Sequence, residues 1–428
     1  MDHPFEQADL RNLARALFDM GVRAADPAAA VHDTLRATPP AAAPGGRSIL
    51  VAVGKAACPM IEAALAHIPD AQPRAALAVT NYENHREVAG CEVLAAGHPV
   101  PDENGLAAGR RVIELLKGAS AADQVLFLIS GGGSALLPTP VPGVTLADKI
   151  RVNEIMLANG LDIAETNLVR QQLSVLKGGG MRRHAAPATC RTLAVSDVIG
   201  DDPRVIASGP TARALGTPAQ AAALLKGRGL WPKMPPSVRA ILEAPERQTP
   251  EPQPGGEQAG DISVICSNRI TLDAIAAGAP DWAPQIVTDR LCGDVSAAAG
   301  HITQQMRATP PGQKALLIWG GETTVIVRGT GLGGRNQELA LRVAMQNTDL
   351  PGHWVFLAGG TDGRDGPTTA AGGLIDAQTV ARLQAAGGDP GRLLARNDSH
   401  AALKLAGDLL VTGATGTNVA DVAIFLQI

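Results

Sequence analysis

The chain has 428 residues, 45% of them apolar, with a formal net charge of −4 and a pI near 6.1. That length allows two domains, each with a core of its own, and the mild acidity without a basic stripe argues against a nucleic-acid partner. Aromatic residues are only 2% of the chain, so the core must be assembled from many small aliphatic contacts, as where helices pack closely on a parallel sheet.

Met1–Glu6 opens acidic and without an apolar stretch, so no secretory leader is expected. No apolar run approaches the roughly 18–20 residues that cross a bilayer, and no membrane association is expected. Cys58, Cys91, Cys190, Cys266 and Cys292 are scattered and form no C-x-x-C. They fit neither a disulfide framework nor a zinc site, and a cytoplasmic setting is the expectation.

In chain order, a helix is predicted at about Glu6–Ala25, then a fully buried strand at Ser48–Gly54 and a helix at Cys58–Ile68. Lys55 follows that strand directly, between Gly54 and Ala56-Ala57. There it can reach a phosphate as a point charge, with a solvated loop lysine as the plain alternative. A strand at Ala75–Thr80 precedes the rigid loop Gly97-His98-Pro99-Val100-Pro101-Asp102, where His98 is a candidate to line a site. The helix Gly105–Lys117 and the strand Gln124–Ser130 come next.

The strand at Gln124–Ser130 ends in Gly131-Gly132-Gly133-Ser134. Glycines between a strand and a helix present backbone N–H groups where phosphate binds readily, although glycines also serve close packing. The turn is neither a P-loop nor a G-x-G-x-x-G fingerprint. The expectation is a phosphate-handling enzyme outside the two commonest nucleotide-binding families, with Gly131, Gly132, Gly133 and Ser134 as the cradle.

Helices at Leu146–Ala158 and Leu161–Leu173 lead to Lys177-Gly178-Gly179-Gly180, which with Arg170 and Ser174 forms a second basic, glycine-bounded turn. Lys177 is a further phosphate candidate. Arg182-Arg183-His184 reads as a helix end. The strand Arg191–Ser196 runs into Ser196-Asp197-Val-Ile-Gly-Asp201-Asp202, whose crowded carboxylates call for a cation or a substrate proton. Such a loop suits Mg²⁺ or a general base; Asp197 is the stronger candidate, and Asp202 reads as a cap. Near-continuous apolar strands separated by helices mark a parallel sheet covered on both faces.

From residue 228 to 260 the chain turns rich in Pro, Gly, Glu and Gln, and a connecting segment is expected. It separates an N-terminal domain at 1–240 from a C-terminal one at 260–428. In the second region strands are predicted at Asp261–Cys266, Gln285–Thr288, Ala315–Trp319, Thr323–Arg328, His353–Ala358 and Asp421–Ile428. Helices are predicted at Ile270–Ala277, Val295–Met306 and Asn336–Ala344. The spacing across Gly320-Gly321 suggests a hairpin and hence a mixed sheet. Arg335, where Gly331-Leu-Gly333-Gly334 opens into a helix, offers a planar fork for carboxylate or phosphate. Asp362, in Gly359-Gly-Thr-Asp362-Gly-Arg-Asp365, is a candidate for Mg²⁺ or for the acceptor hydroxyl.

Together these motifs resemble the two-domain glycerate 2-kinase family. The resemblance is carried in order by Gly54-Lys55-Ala56-Ala57, Gly97–Asp102, Ser130–Leu136, Ser196–Asp201, Gly334-Arg335-Asn336-Gln337-Glu338 and Thr412-Gly-Ala-Thr-Gly-Thr-Asn418. It implies a Rossmann-like three-layer α/β domain, a second and smaller mixed-sheet domain of the MOFRL type, and an active-site cleft between them. It also implies transfer of the ATP γ-phosphoryl group to the 2-hydroxyl of D-glycerate, giving 2-phosphoglycerate, with Mg²⁺ as cofactor. Lys55 and Arg335 match the lysine and arginine that the family places at its active site. The chain departs from the family at His400, where Tyr is common, and in the length of its Pro-rich segment. On motif chemistry, Asp197, Asp201 and Asp362 are the metal candidates and Asp197 the proton acceptor. A hydroxypyruvate reductase, which needs a dinucleotide fingerprint not expected here, and a non-catalytic small-molecule binder are the alternatives; monomer and homodimer both remain open.

Overall fold

A computed structural model of the chain describes residues 7–244 and 261–428. Backbone contacts divide it into two units. One holds Pro27–Ser196 and Asp201–Ile265; the other holds the chain up to Asp26, Asp197–Gly200 and Cys266–Ile428.

The unit starting at Pro27 is built on six strands: β1 (Ser48–Val53), β2 (Arg74–Asn81), β3 (Glu92–Ala96), β4 (Gln124–Ile129), β5 (Thr189–Val195) and β6 (Ile262–Cys266), in the order β3-β2-β1-β4-β5-β6. β1 pairs in parallel with β2 and β4, β2 with β3, and β4 with β5. Every residue of β1 is buried, as the unbroken run Ser-Ile-Leu-Val-Ala-Val requires of a strand covered on both faces. The strand expected to open the second sheet, at 261–266, instead forms the edge of this one.

Residues 230–242 differ from the expected linker. Leu230, Met234, Val238 and Leu242 pack with Val152, Met156, Val169 and Leu225 in an apolar cluster, and Pro236–Glu243 is a helix. The Pro-rich stretch 249–256 and the start of the first predicted helix, Glu6, lie outside the described residues.

The other unit contains β7 (Gln285–Asp294), β8 (Ala315–Thr324), β9 (Trp354–Gly360), β10 (Gly372–Asp376), β11 (Leu409–Leu410) and β12 (Asp421–Gln427), ordered β11-β10-β9-β12-β8-β7. β12 is antiparallel to both β8 and β9, whereas β7 and β8 run parallel. The sheet is mixed, as expected, but not because of a hairpin. β8 passes straight through Gly320-Gly321 as a single strand. A Cβ on Gly321 would sit 2.3 Å from the Leu291 carbonyl oxygen, and one on Gly320 would sit 1.9 Å from Asn268 Oδ1. These glycines admit close neighbours rather than a turn.

Alternation along the central strands divides this core in two. Leu316, Ile318, Val355, Leu357, Val422 and Ile424 face the helices Gln7–Ala24 and Asn268–Gly278 through Leu10, Leu17, Phe18, Leu272 and Ile275. Trp319, Trp354, Phe356 and Phe425 face the helices Val295–Ala308 and Arg335–Gln346 on the other side. The first helix thus belongs to this unit and not to the N-terminal domain expected at 1–240.

A buried ionic network ties that helix down. Arg11 reaches the carboxylates of Asp376 and Asp408, which are 2% and 1% exposed, and Arg382 bonds both as well. Thr379 Oγ1 donates to Asp408 Oδ2 at 2.6 Å. Asp408→Ala would leave two guanidinium groups short of a buried partner. It should cost roughly 3–5 kcal/mol, read by chemical denaturation; a loss under about 1 kcal/mol would mean the network behaves like a surface pair.

Candidate functional site

The strand ends of the parallel sheet carry the first group of candidates, as open α/β sheets favour. The turns after β1 and β4 are laced together: Ser130 N–H donates to the Val53 carbonyl (2.9 Å), Lys55 N–H to the Gly131 carbonyl (2.9 Å) and Ala56 N–H to Ser130 Oγ (3.1 Å). Gly54 has φ +128°, and a Cβ there would lie 2.1 Å from Ser130 Oγ and 2.4 Å from the Ser130 carbonyl oxygen. Only glycine lets the two turns meet so closely.

Gly132, at φ +87°, sits against the Lys55 stem and the His98 ring, both of which would be 3.2 Å from an added Cβ. Lys55, His98 and the glycine turn are therefore assembled in one place, with Lys55 exposed. Desolvation and the Lys55 charge hold the His98 imidazole below its ordinary value, so it is neutral at pH 7. A short helix, Gly133–Leu136, continues from the turn, and its first amides have no intrahelical acceptor.

The underside of the turn was not legible in the sequence. Ala207 (φ +50°) and Ser208 (φ +64°) are non-glycine residues in left-handed conformation, a strain characteristic of functional loops. Ser134 Oγ lies 2.8 Å from Ser208 Oγ, which donates to Asn167 Oδ1 at 2.6 Å. A Cβ on Gly133 would come within 2.9 Å of the Ala207 methyl. The only sequence signal is Ala207-Ser208-Gly209-Pro210, a small-residue stretch easily taken for an ordinary turn. Lys177 is 3% exposed, and its ammonium donates to the carbonyls of Ser134 (2.7 Å) and Leu137 (3.3 Å). It props the turn through backbone oxygens.

Asp197 and Asp201 follow β5, both partly exposed, and Asp201 has φ +54°. Asp202 pairs with Arg204 two residues on, and its carboxylate also accepts from the Arg204 N–H; it closes a local turn and is not the cap expected, since the helical turn Ile206–Ser208 has Val205 at its N-cap.

The second group of candidates is in the other unit. Arg335 opens the helix Arg335–Gln346. Its Nε donates to Asp421 Oδ2 (2.5 Å), Nη2 to Asp421 Oδ1 (2.9 Å), and Nη1 pairs with Glu322 (3.2 Å). Burial opposes its charge, but Asp421 and Glu322 raise the guanidinium's hold on its proton. Burial pushes Asp421 up to about 6 in spite of Arg335. Asp365 accepts from the backbone N–H groups of Asn336 (3.1 Å) and Gln337 (2.8 Å), so its carboxylate occupies that helix N-terminus. Gly334 is required beside it, since a Cβ would fall 2.3 Å from Asp365 Cγ. Asp362 Oδ1 accepts from the Arg364 N–H at 2.9 Å. Two carboxylates of this arrangement were not named as candidates in their own right in the sequence: Asp421, signalled only as a charge heading an apolar strand, and Asp365, noted only as part of the Asp362 loop.

One expectation needs correcting. The string Gly329-Thr-Gly331-Leu-Gly333-Gly334 does have G-x-G-x-x-G spacing. Its glycines, however, admit neighbouring protein: Cβ atoms on Gly329, Gly331 and Gly333 would lie 2.3, 2.5 and 2.2 Å from Arg396, Asp398 and Ser399. The helix end it leads to is already capped by Asp365, so this is not a dinucleotide fingerprint.

Mg²⁺ bound with a nucleotide takes one or two carboxylates, phosphate oxygens and water. Among the described residues no three of His, Cys, Asp and Glu form a ready-made cage. Asp362, a partly exposed carboxylate, is of the donor type that this lighter demand calls for, although its Oδ1 already accepts from the Arg364 N–H.

Two family models match the chain, a domain of unknown function (DUF4147) over residues 13–243 and the MOFRL family over 315–421. The D-glycerate 2-kinase of Thermotoga maritima is 40% identical over 99% of both chains. The chain belongs to the two-domain glycerate kinase family. A crystal structure of glycerate kinase from Thermotoga maritima superposes with a TM-score of 0.88 at 37% identity, covering 98% of this chain and 100% of that one. A protein of Agrobacterium vitis named as a putative hydroxypyruvate reductase is also similar, 40% identical over 97% of this chain and 94% of its own.

Two outcomes follow for this family member. Gly54→Ala should fold less stably and lose activity, because the clash falls on backbone; a variant with unchanged melting temperature and turnover would refute the lacing. Asp421 binds its proton more tightly folded than unfolded, so its ionised form costs stability above about pH 6, and that cost is relieved as pH falls from about 6 toward 4. The same protonation weakens the partner of Arg335. Because a protonated Asp421 no longer competes for the Arg335 fork, kcat/KM should rise as pH falls through about 6, and this dependence should disappear in Asp421→Asn.

Proposed function

We propose that the protein transfers the γ-phosphoryl group of ATP to the 2-hydroxyl of D-glycerate, with Mg²⁺ as cofactor. The observation that carries this reading is the assembly of Lys55, His98 and the Gly131–Ser134 turn at the strand ends of the parallel sheet, in a chain of the glycerate kinase family. Phosphoryl transfer asks a protein mainly for positioning and for compensation of charge. The Gly131–Ser134 amides cradle phosphate oxygens, and their orientation is fixed beforehand by the bonds to the β1 turn and the Ser208 hydroxyl. Lys55, on an open small-residue turn, offsets charge on the transferring group. A neutral His98 beside it donates or accepts a hydrogen bond without adding repulsion to Lys55.

Arg335 binds the glycerate carboxylate. Its bidentate bond to Asp421 rehearses that geometry, since a carboxylate is what the fork already holds. Asp197 accepts the proton of the attacking hydroxyl. Bound Mg²⁺ would neutralise phosphate charge; Asp362, Asp197 and Asp201 are each proposed as a candidate carboxylate for it. A cytoplasmic enzyme is the natural setting for this reaction, and among the described residues no helix is long and apolar enough to cross a membrane.

The test is ³¹P NMR of the purified protein with Mg-ATP and D-glycerate. A new 2-phosphomonoester is expected, whereas a 3-phosphate would overturn the placement of glycerate. Consumption of NADH with hydroxypyruvate and no phosphoester would favour the reductase named for the Agrobacterium relative. Lys55→Ala should lower turnover by about two orders of magnitude or more while the circular dichroism spectrum is unchanged; near-native turnover would remove Lys55 from the mechanism.

A further inference from the structure

At the far end of the short helix Gly133–Leu136, opposite the amides of the glycine turn, three cations gather. Lys177 donates to the Ser134 and Leu137 carbonyls, and Lys149, on the helix Leu146–Ala158, donates to the next carbonyl in the chain, Pro138. Arg170, on the helix Ile163–Gln172, is held through Nε (3.0 Å) and Nη2 by Asn153 Oδ1. Among the described residues no carboxylate pairs with any of the three. Elsewhere in the fold arginines that reach inward meet buried acids, as Arg11 and Arg382 meet Asp376 and Asp408.

We infer that Lys149, Arg170 and Lys177 form a second anion site, suited to a phosphate dianion. Each cation has more N–H donors than its neutral oxygen partners take up. An ammonium carries three donors and a guanidinium five, whereas Lys149 and Lys177 meet only backbone oxygens and Arg170 a single amide oxygen. Carbonyls fix where the cations stand but leave their charge uncancelled. Lys177 forms the floor, 3% exposed, and Lys149, Arg170 and Asn153 are partly open to solvent. Three positive groups match a doubly charged, tetrahedral oxyanion better than a single carboxylate, and the free edge of the Arg170 fork suits two phosphate oxygens.

The electrostatics agree. Desolvation and then Arg170 push Lys149 down to about 7, while burial, Lys149 and Arg170 push Lys177 well below the usual ammonium range. Without an anion the two lysines therefore hold their protons weakly, and an oxyanion bound between them and Arg170 would restore their charge. The site shares the Ser134 backbone with the glycine turn but does not depend on the kinase reading.

The phosphate could come from free inorganic phosphate or from the tail of a nucleotide. Calorimetric titration of the intact protein with inorganic phosphate, and separately with ADP, needs no turnover and stands whether or not phosphoryl transfer is observed. We expect phosphate to bind, and Lys149→Gln and Arg170→Gln each to weaken it about tenfold or more. Lys149→Arg, which keeps the charge, should bind as the parent does. Binding of ADP but not phosphate, lost in the same variants, would identify the nucleotide tail as the source. Should the glutamine variants fold poorly, as judged by their melting temperature without ligand, Lys149→Arg/Arg170→Lys provides the folded comparison and must retain binding. Absence of binding by either ligand, or binding unchanged in the glutamine variants, overturns the site.

Discussion

A strand buried on both faces has nowhere to place a charge except at its ends, and both sheets of this protein obey that limit. β1, β9 and β12 are buried along their whole length. Lys55 follows β1 within two residues, the glycine turn follows β4, Asp197 follows β5, and Asp421 is the first residue of β12. Chemistry collects at these termini because only there can polar groups reach partners without desolvating alone. The close turns follow from the same limit. To bring neighbouring strand ends within reach of one another, Gly54, Gly132, Gly133 and Gly334 give up their side chains to the atoms beside them.

Charge is handled in two contrasting ways. Around Arg335 each charge has an opposite: Asp421 and Glu322 face the guanidinium, and Asp365 faces the helix amides. Around Lys177 the oxygens are neutral, and burial together with Lys149 and Arg170 works against its charge until an anion offsets it. A closed ionic pair resists a newcomer until it is exchanged for a similar group, and an uncancelled cluster invites one. On this view Arg335 discriminates by competition, admitting a carboxylate only if it outbids Asp421, whereas the lysine cluster responds to any sufficiently charged oxyanion of the right size.

Much of this was legible in the sequence because it depends on local pattern. The unbroken apolar runs at 48–53 and 124–129 announced buried strands, and glycines at their ends announced turns. What sequence reading missed depends on contacts between distant segments. Residues 261–266 look the same whether they join the first sheet or the second. Gly320-Gly321 suggests a turn until Leu291 and Asn268 are seen against it. The dinucleotide-like spacing at 329–334 is real as a string, but Arg396, Asp398 and Ser399 account for its glycines. The left-handed Ala207 and Ser208 have no signature, because their strain is imposed by the turn they support.

The order of segments along the chain sets a timetable for biosynthesis. The helix Gln7–Ala24 is made well before the sheet it covers, whose strands begin at residue 285 and close only with β12. β12 lies between β8 and β9, so the two halves of that sheet cannot be joined until residues 421–427 have been made. Meanwhile Leu10, Leu17 and Phe18 have no apolar surface to cover, while the unit built on β1 to β6 can complete its sheet once residue 266 has emerged. Nascent chains stalled before 421 should therefore be the ones that chaperones hold, through an exposed amphipathic helix made some four hundred residues earlier.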